Sequence, residues 1–147
     1  MGWWSEDIMG GDGPCDIQCM FDREFGKEIN ADEYEYELPK SIAGTKILEF
    51  GKKCVEDFFY FEEVHQAIGF ILIDNGMPMT NDVRKAVLAA TDSEIEEGAG
   101  SWSSPEGRLA KLREFRKIVE DYPREGAAIS MPHQTGLFEK LAEHLSK

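Results

Sequence analysis

The sequence predicts an all-α fold: a compact bundle of about six helices that forms a single domain over residues 1–147. Three observations support this prediction. A chain of 147 residues, 41% of them hydrophobic, can bury one core but not comfortably two. Apolar residues recur at helical spacing along most of the chain. Glycine, proline and capping residues separate these segments, and the sequence contains neither an internal repeat nor a low-complexity tract.

Residues 1–13 are predicted to form an irregular lead-in to the first helix. Asp12 or Gly13 can cap this helix, because Pro14 then falls in its first turn. The helix is expected to end at about Phe25, since a glycine follows. Its predicted inward side comprises Ile17, Met20, Phe21 and Phe25.

Residues 27–40 are predicted to be an exposed acidic loop with a short extended piece. A second helix is predicted over residues 41–59. The aromatic run of residues 58–61 is also compatible with a strand, so both interpretations stay open here. The predicted inward side of the second helix comprises Ile47, Phe50, Cys54 and Phe58.

Residues 62–75 are predicted to form the central helix, because they are apolar on most faces. Residues 75–78, Asn-Gly-Met-Pro, are predicted to form a turn. Thr80 or Asn81 can then cap a helix that runs to about Glu97. Its predicted inward side comprises Val83, Val87, Ala90 and Ile95.

Two further helices are predicted in the C-terminal third. Ser103 and Glu106 fit a capping box, and Pro105 fits the first turn of a helix that runs to about Asp121. After an irregular loop, Thr135 can cap a last helix. The inward residues of these two helices are predicted to be Leu109, Leu112, Phe115 and Val119, and then Leu137, Phe138, Leu141 and Leu145.

The net charge of −13 is unevenly distributed along the chain. Residues 1–100 carry 22 acidic against 8 basic side chains, whereas residues 101–147 carry 7 against 8. A negative field repels nucleic acid and anionic membranes, so we expect neither as a direct partner. Three cysteines and the lack of a signal peptide or a spanning apolar run indicate a cytoplasmic protein.

The acidic residues are the main candidate for a functional surface. Carboxylates on a rigid helical frame can bind a basic protein, and complementary fields raise the association rate. A solvated surface that serves only solubility is the alternative. The sequence therefore predicts a non-enzymatic binding protein of inhibitor, immunity or antidefence type that needs no cofactor. The candidate partner-binding residues are Asp32, Glu33, Glu35, Glu37, Glu56, Asp57, Glu94, Glu96 and Glu97.

The N-terminal segment forms a second pattern, in which Trp4, Ile8, Asp12 and Asp16 follow Gly2. Trp4 and Ile8 can pin the N-terminus onto the core, and the aspartates suit the positive end of a helix. In that spacing, the segment resembles the opening of a family of small, uncharacterised bacterial proteins. The resemblance implies a bacterial or phage origin and a helical domain, with no known activity or catalytic residues.

Cysteine and histidine define the rival class of function, a small metal- or thiol-dependent enzyme. Cys15 and Cys19 share one face of the first helix, and Cys54, His65, His133 or His144 could complete a site. Structural zinc sites combine two closely spaced ligand pairs, and the sequence has no second pair. We therefore predict no metal site.

Two further interpretations concern contacts between elements or chains. The grouped Arg113, Arg116 and Lys117 are expected to pair with the acidic part of the same chain. A structural subunit of a larger assembly is a third functional alternative. In that case residues 58–61 are the expected interface, and the sequence leaves the oligomeric state open.

Overall fold

The computed structural model shows a mostly helical protein. It describes residues 8–9, 12–33, 35–98 and 104–126. Within these ranges the chain forms five α-helices and one β-hairpin. The helices are α1 (Asp12–Phe25), α2 (Gly44–Glu56), α3 (Phe61–Asp74), α4 (Asn81–Glu97) and α5 (Pro105–Asp121), and the strands are β1 (Lys27–Asn30) and β2 (Glu35–Glu37).

The helical fold class is broadly confirmed, but residues 27–40, which were predicted to be an acidic loop with a short extended piece, contain a small β-hairpin. β1 and β2 pair antiparallel, with Lys27 opposite Glu37 and a 3-10 turn between the strands. Gly26 alone separates α1 from the hairpin. Its N–H donates a hydrogen bond to the Asp22 carbonyl (2.8 Å) and so continues the hydrogen bonding of the last turn of α1. Alternating Tyr and Glu residues favour this extended backbone, although the segment buries little.

α1 packs on the core through its predicted face. Ile17 and Phe21 are fully buried, and Met20 and Phe25 are partly buried against the same core. The Phe21 ring meets the Phe50 ring of α2 edge-on, with 5.3 Å between centroids. These contacts confirm the helical spacing read from the sequence.

α2 ends three residues earlier than predicted, and its end has a specific geometry. The Phe58 N–H donates to the Val55 carbonyl (3.1 Å), and the Phe59 N–H donates to the Cys54 carbonyl (3.1 Å). This pair of hydrogen bonds ends a helix through a left-handed residue. That residue is Phe58, with φ of 75°. The left-handed backbone costs a non-glycine residue roughly 1–2 kcal/mol.

The left-handed turn also corrects the predicted inward position of Phe58. Its side chain is 95% exposed, whereas Phe59 is partly buried against the core. The strand alternative for residues 58–61 was wrong, because α3 begins at Phe61. The turn reverses the chain between two helices that pack on each other.

α3 is the central helix, as its apolar composition predicted. It packs against α1, α2 and α4. Two glycines permit the close approach. A Cβ on Gly51 of α2 would lie 2.8 Å from His65 Nε2, and one on Gly69 would lie 2.6 Å from a Val87 methyl group. The fully buried residues of α3 include Val64, Ala67, Leu72 and Ile73.

α4 begins and ends where the sequence predicted. The Thr80 hydroxyl accepts a hydrogen bond from the Val83 N–H (3.5 Å), and Gly98 ends the helix with φ of 73°. Val83, Val87 and Ala90 are buried as predicted, and Ile95 is partly buried.

α5 also has the predicted bounds, but the residue at its N-cap is Ser104 rather than Ser103. The Ser104 side chain makes no capping hydrogen bond, so the start of the helix depends on Pro105 in its first position. Arg84 of α4 holds the C-terminal end of α5, because its guanidinium donates hydrogen bonds to the carbonyls of Val119 and Tyr122.

The predicted sixth helix, from Thr135, lies outside the described residues. None of the helices within them combines the length and the apolar character that a bilayer span requires.

Candidate protein-interaction surface

The predicted acidic residues fall into two groups, and one of them surrounds the start of α3. α2 ends shortly before this point, and the C-terminal part of α4 passes beside it, because the Ser93 hydroxyl donates to Glu62 Oε2 (2.9 Å). α1 begins beside it, since the Glu63 carboxylate lies against Gly13. We call this region the acidic end of the bundle, and it comprises Glu56, Asp57, Glu62, Glu63, Glu96 and Glu97.

The second group lies on the hairpin: Asp32, Glu33, Glu35 and Glu37. The hairpin follows the opposite end of α1, and a helix of this length spans ~20 Å. Asp32, Glu33 and Glu37 are exposed, and Glu35 is half-buried. The structure therefore does not bring all the candidate residues together, and the surface divides into the acidic end and the hairpin.

Glu94 belongs to neither group, which corrects its place among the surface candidates. Its carboxylate accepts two hydrogen bonds from Arg108, at 2.7 Å from Nε and 2.9 Å from Nη2. Arg108 is only 2% exposed and also donates to Gln66 Oε1 (2.8 Å). Glu94 thus joins α4 to α5 and α3 inside the bundle and is not available to a partner.

The expected pairing of the basic helix with the acidic part is confirmed at Arg116. Its Nε donates to Asp92 Oδ1 (2.5 Å), and its Nη1 donates to Glu120 Oε2 (2.6 Å). Asp92 and Glu94 therefore contact cations of α5.

At the acidic end the carboxylates have no such cations. Within the described parts of the chain, none of Glu56, Asp57, Glu96 and Glu97 is in an ion pair, and all four are exposed. Burial raises the pKa of Glu63, and the neighbouring charges of Asp16 and Glu62 raise it further. Besides burial, which is the largest cause, these two neighbouring carboxylates add negative potential at Glu63, where α1 and α3 begin.

Exposed aromatic side chains lie within the same region. Phe58 is 95% and Tyr60 73% exposed, and Val55 and Phe61 are also exposed. Residues 58–61 were predicted to be an interface if the protein is a structural subunit, yet Phe58 was also predicted to face the core. Phe58 is exposed because the short turn between α2 and α3 needs one left-handed residue. The spacing of apolar residues along a helix does not reveal such a requirement.

The N-terminal pattern is only partly covered by the described residues. Ile8 is buried in the core. Asp16 is exposed in the N-terminal part of α1, and Asp12 begins the helix. Trp4 lies outside the described residues.

The metal and thiol candidates within the described ranges do not converge, and His133 and His144 lie outside those ranges. Cys15 and Cys19 are exposed on α1, whereas Cys54 is buried in α2. His65 is also buried, and its Nδ1 lies 2.9 Å from the Phe61 carbonyl. Among the described residues, no group of three or more His, Cys, Asp or Glu side chains could hold a metal ion. Burial raises the pKa of the Cys54 thiol to about 11, which disfavours the nucleophilic thiolate.

Two shallow clefts flank α1 and the hairpin. One, of about 280 Å³, lies between α1 and α2 and is lined by Glu24, Phe25, Lys46, Glu49, Phe50 and Lys53. The other, of about 360 Å³, lies at the base of the hairpin, between Phe25 and Lys40. Both volumes are small for a ligand site, and no histidine or cysteine lines either cleft.

Comparisons of the chain with known family models, with curated proteins and with solved structures found no match. The geometry of the acidic end is therefore the basis for inferring a function.

Proposed function

We propose that this protein is a non-enzymatic, cytoplasmic binding protein whose acidic end engages a basic protein partner, in an inhibitor, immunity or antidefence role. One observation carries the proposal. Glu56 and Asp57 stand at the C-terminal end of α2, and Glu96 and Glu97 stand at the C-terminal end of α4. All four are exposed, and no cation among the described residues pairs with them.

These positions are unfavourable for the fold itself. The C-terminal end of a helix carries partial negative charge, so an acidic side chain there costs typically 0.3–1 kcal/mol. The last turn of α4 has no basic residue to compensate. Solubility alone does not require acids at these ends, because any exposed position would serve equally well.

A basic partner gives such a surface a use. Carboxylates held on rigid helix ends present a fixed pattern of charge to the partner. Complementary fields steer two proteins together and raise their association rate, and the effect falls with ionic strength. A partner with clustered lysine and arginine would therefore bind quickly and release as salt rises.

The test compares two variants with matched changes in charge. One neutralises the acidic end (Glu56→Gln, Asp57→Asn, Glu96→Gln, Glu97→Gln). The other neutralises the hairpin (Asp32→Asn, Glu33→Gln, Glu35→Gln, Glu37→Gln). Each full-length protein is immobilised and exposed to bacterial lysate, and the retained proteins are identified by mass spectrometry during a salt gradient.

We expect the wild-type protein and the hairpin variant to retain a specific basic protein that elutes as salt rises, and the acidic-end variant to lose it. If the wild-type protein retains no basic partner even at low salt, the proposal fails. Equal losses from both variants would also contradict it, because net charge rather than this surface would then explain retention.

The metal-dependent alternative has its own test. Elemental analysis of the protein purified without a tag would reveal a stoichiometric metal, and that result would favour an enzyme over a binding protein.

A further inference from the structure

We infer that Phe58 is the anchor of a docking site at the acidic end, and that its occupant is a protein segment that combines an apolar side chain with flanking lysine or arginine. This inference rests on the proposed function and specifies the class of partner. The observation behind it is a phenylalanine that neither its backbone conformation nor its packing explains.

The backbone at Phe58 favours a different residue. Position 58 is the left-handed residue that ends α2, and glycine or asparagine is preferred there because a Cβ is strained. Phenylalanine is among the residues least suited to this conformation. Strained residues cluster at functional sites, where another requirement sets the choice of side chain.

Packing does not explain the choice either. At this turn the Phe59 side chain is partly buried against the core, whereas the Phe58 side chain is 95% exposed. The fold therefore requires an apolar residue at position 59 but not at position 58. Tyr60, Phe61 and Val55 are also exposed around the same turn, so Phe58 stands within an apolar patch.

The charges around the patch select its occupant. Glu56 and Asp57 directly precede Phe58, and Glu62 and Glu63 follow the aromatic run. These carboxylates repel an anionic membrane surface and attract lysine and arginine. Aromatic faces also attract such cations. A partner segment therefore needs an apolar side chain to contact Phe58 and basic side chains to meet the carboxylates, which is the arrangement of an interface anchor with a charged rim.

The test uses Phe58→Gly. If Phe58 serves the fold, the variant should be less stable than wild type; if Phe58 serves binding, the variant should be more stable but bind less well. Glycine removes the strain, so the thermal midpoint of the variant is expected to rise by roughly 2–4 °C. Ile29→Ser is the matched control, because Ile29 is an exposed apolar side chain of the hairpin, away from the acidic end.

Two labelled peptides of equal length and charge serve as probes, and anisotropy at fixed salt measures their affinity. One is an amphipathic Lys/Leu peptide, and in the other serine replaces leucine. The wild-type protein and Ile29→Ser are expected to bind the Lys/Leu peptide at least tenfold more tightly than the Lys/Ser peptide. Phe58→Gly is expected to lose this preference and to bind the Lys/Ser peptide as wild type does.

An unchanged preference in Phe58→Gly would overturn the inference. If the wild-type protein binds both peptides equally and the acidic-end variant binds neither, the docking site is refuted while the proposed function stands. If neither peptide binds the wild-type protein, both fail. Sedimentation of the two proteins is the last arm, because a wild-type dimer that Phe58→Gly converts to a monomer would identify a second copy as the occupant and overturn the inference.

Discussion

Glu94 lies only two residues before Glu96, yet the two carboxylates have different surroundings. In the α3–α4–α5 interface, the Glu94 carboxylate accepts hydrogen bonds from a guanidinium that is itself buried. At the acidic end, Glu96 and Glu97 are exposed, with no cation among the described residues in contact. One helix thus carries acids that hold the bundle together and acids that add nothing to its packing.

The difference teaches which charges the fold needs. A buried ion pair is stable only when both partners are present and their remaining hydrogen bonds are satisfied. Arg108, Glu94 and Gln66 meet this condition, because Gln66 Nε2 donates to Glu94 Oε1 (2.9 Å) and Gln66 Oε1 accepts from Arg108. Among the described residues, the carboxylates of Glu56, Asp57, Glu96 and Glu97 have no hydrogen-bond or ion-pair partner that their removal would leave unsatisfied, so their presence calls for a reason outside the fold.

The largest effect is expected from Arg108→Met, which tests the interface side of the comparison. Methionine keeps the apolar stem but leaves the Glu94 carboxylate buried without its cation. We expect the free energy of unfolding to fall by about 3–5 kcal/mol, measured by urea denaturation. Arg113→Met is the matched control, because Arg113 is exposed on the same helix and its replacement should change stability by less than about 0.5 kcal/mol. Equal effects of the two replacements would mean that the buried pair does not stabilise the bundle.

A smaller effect is expected from Asp22→Asn, which probes a half-buried carboxylate that pairs with no cation in the described part of the chain. Burial raises the pKa of Asp22 from 3.8 to about 6. The folded state then binds the proton more tightly than the unfolded state, so this group favours folding as pH falls and opposes it as pH rises through about 6. The variant should be more stable than wild type by about 1 kcal/mol at pH 7.

The advantage of Asp22→Asn should disappear as pH falls below 3.8, where Asp22 is protonated in both states. Urea denaturation of both proteins over this pH range measures the difference. Glu24→Gln, an exposed neighbour on α1, should show a change within about 0.5 kcal/mol at every pH. A difference between wild type and Asp22→Asn that stays constant with pH would show that the Asp22 carboxylate is not the cause.

The smallest effect is expected from neutralising Glu96 and Glu97 together (Glu96→Gln, Glu97→Gln). Because acids at the end of α4 oppose the helix dipole, the variant should gain about 0.5 kcal/mol. Glu106→Gln is the control of opposite sign, since Glu106 lies in the first turn of α5 and its charge favours that helix. Urea denaturation at low salt measures both. A loss of stability in the first variant would show that these acids serve the fold after all.

The bounds of α4 and α5 could be predicted from the sequence. Thr80 and Gly98 are a capping residue and a left-handed glycine in their usual places, and Pro105 marks the start of α5. The early end of α2 could not be predicted in this way. A phenylalanine at a position that favours glycine gives no local signal, so the helical spacing continued through Phe58 in the prediction.

The candidate surface was predictable in composition but not in arrangement. Counting charges located the acidic excess in residues 1–100, and the exposed acids of both groups come from that part. Separating Glu94 from Glu96 required the position of Arg108, a residue 14 positions away in the chain. No periodicity within α4 reports which of its acids faces a cation on another helix.

The sequence by itself determined the helical character, the central place of α3 and the concentration of negative charge, because spacing, capping and charge are local properties. Only the tertiary structure decided that α2 and α4 end on the same side of the bundle, that Phe58 is exposed beside the acids that end α2, and that Glu94 is withdrawn into the bundle. Those outcomes depend on how the helices pack against one another, and packing brings together residues that are distant in the chain.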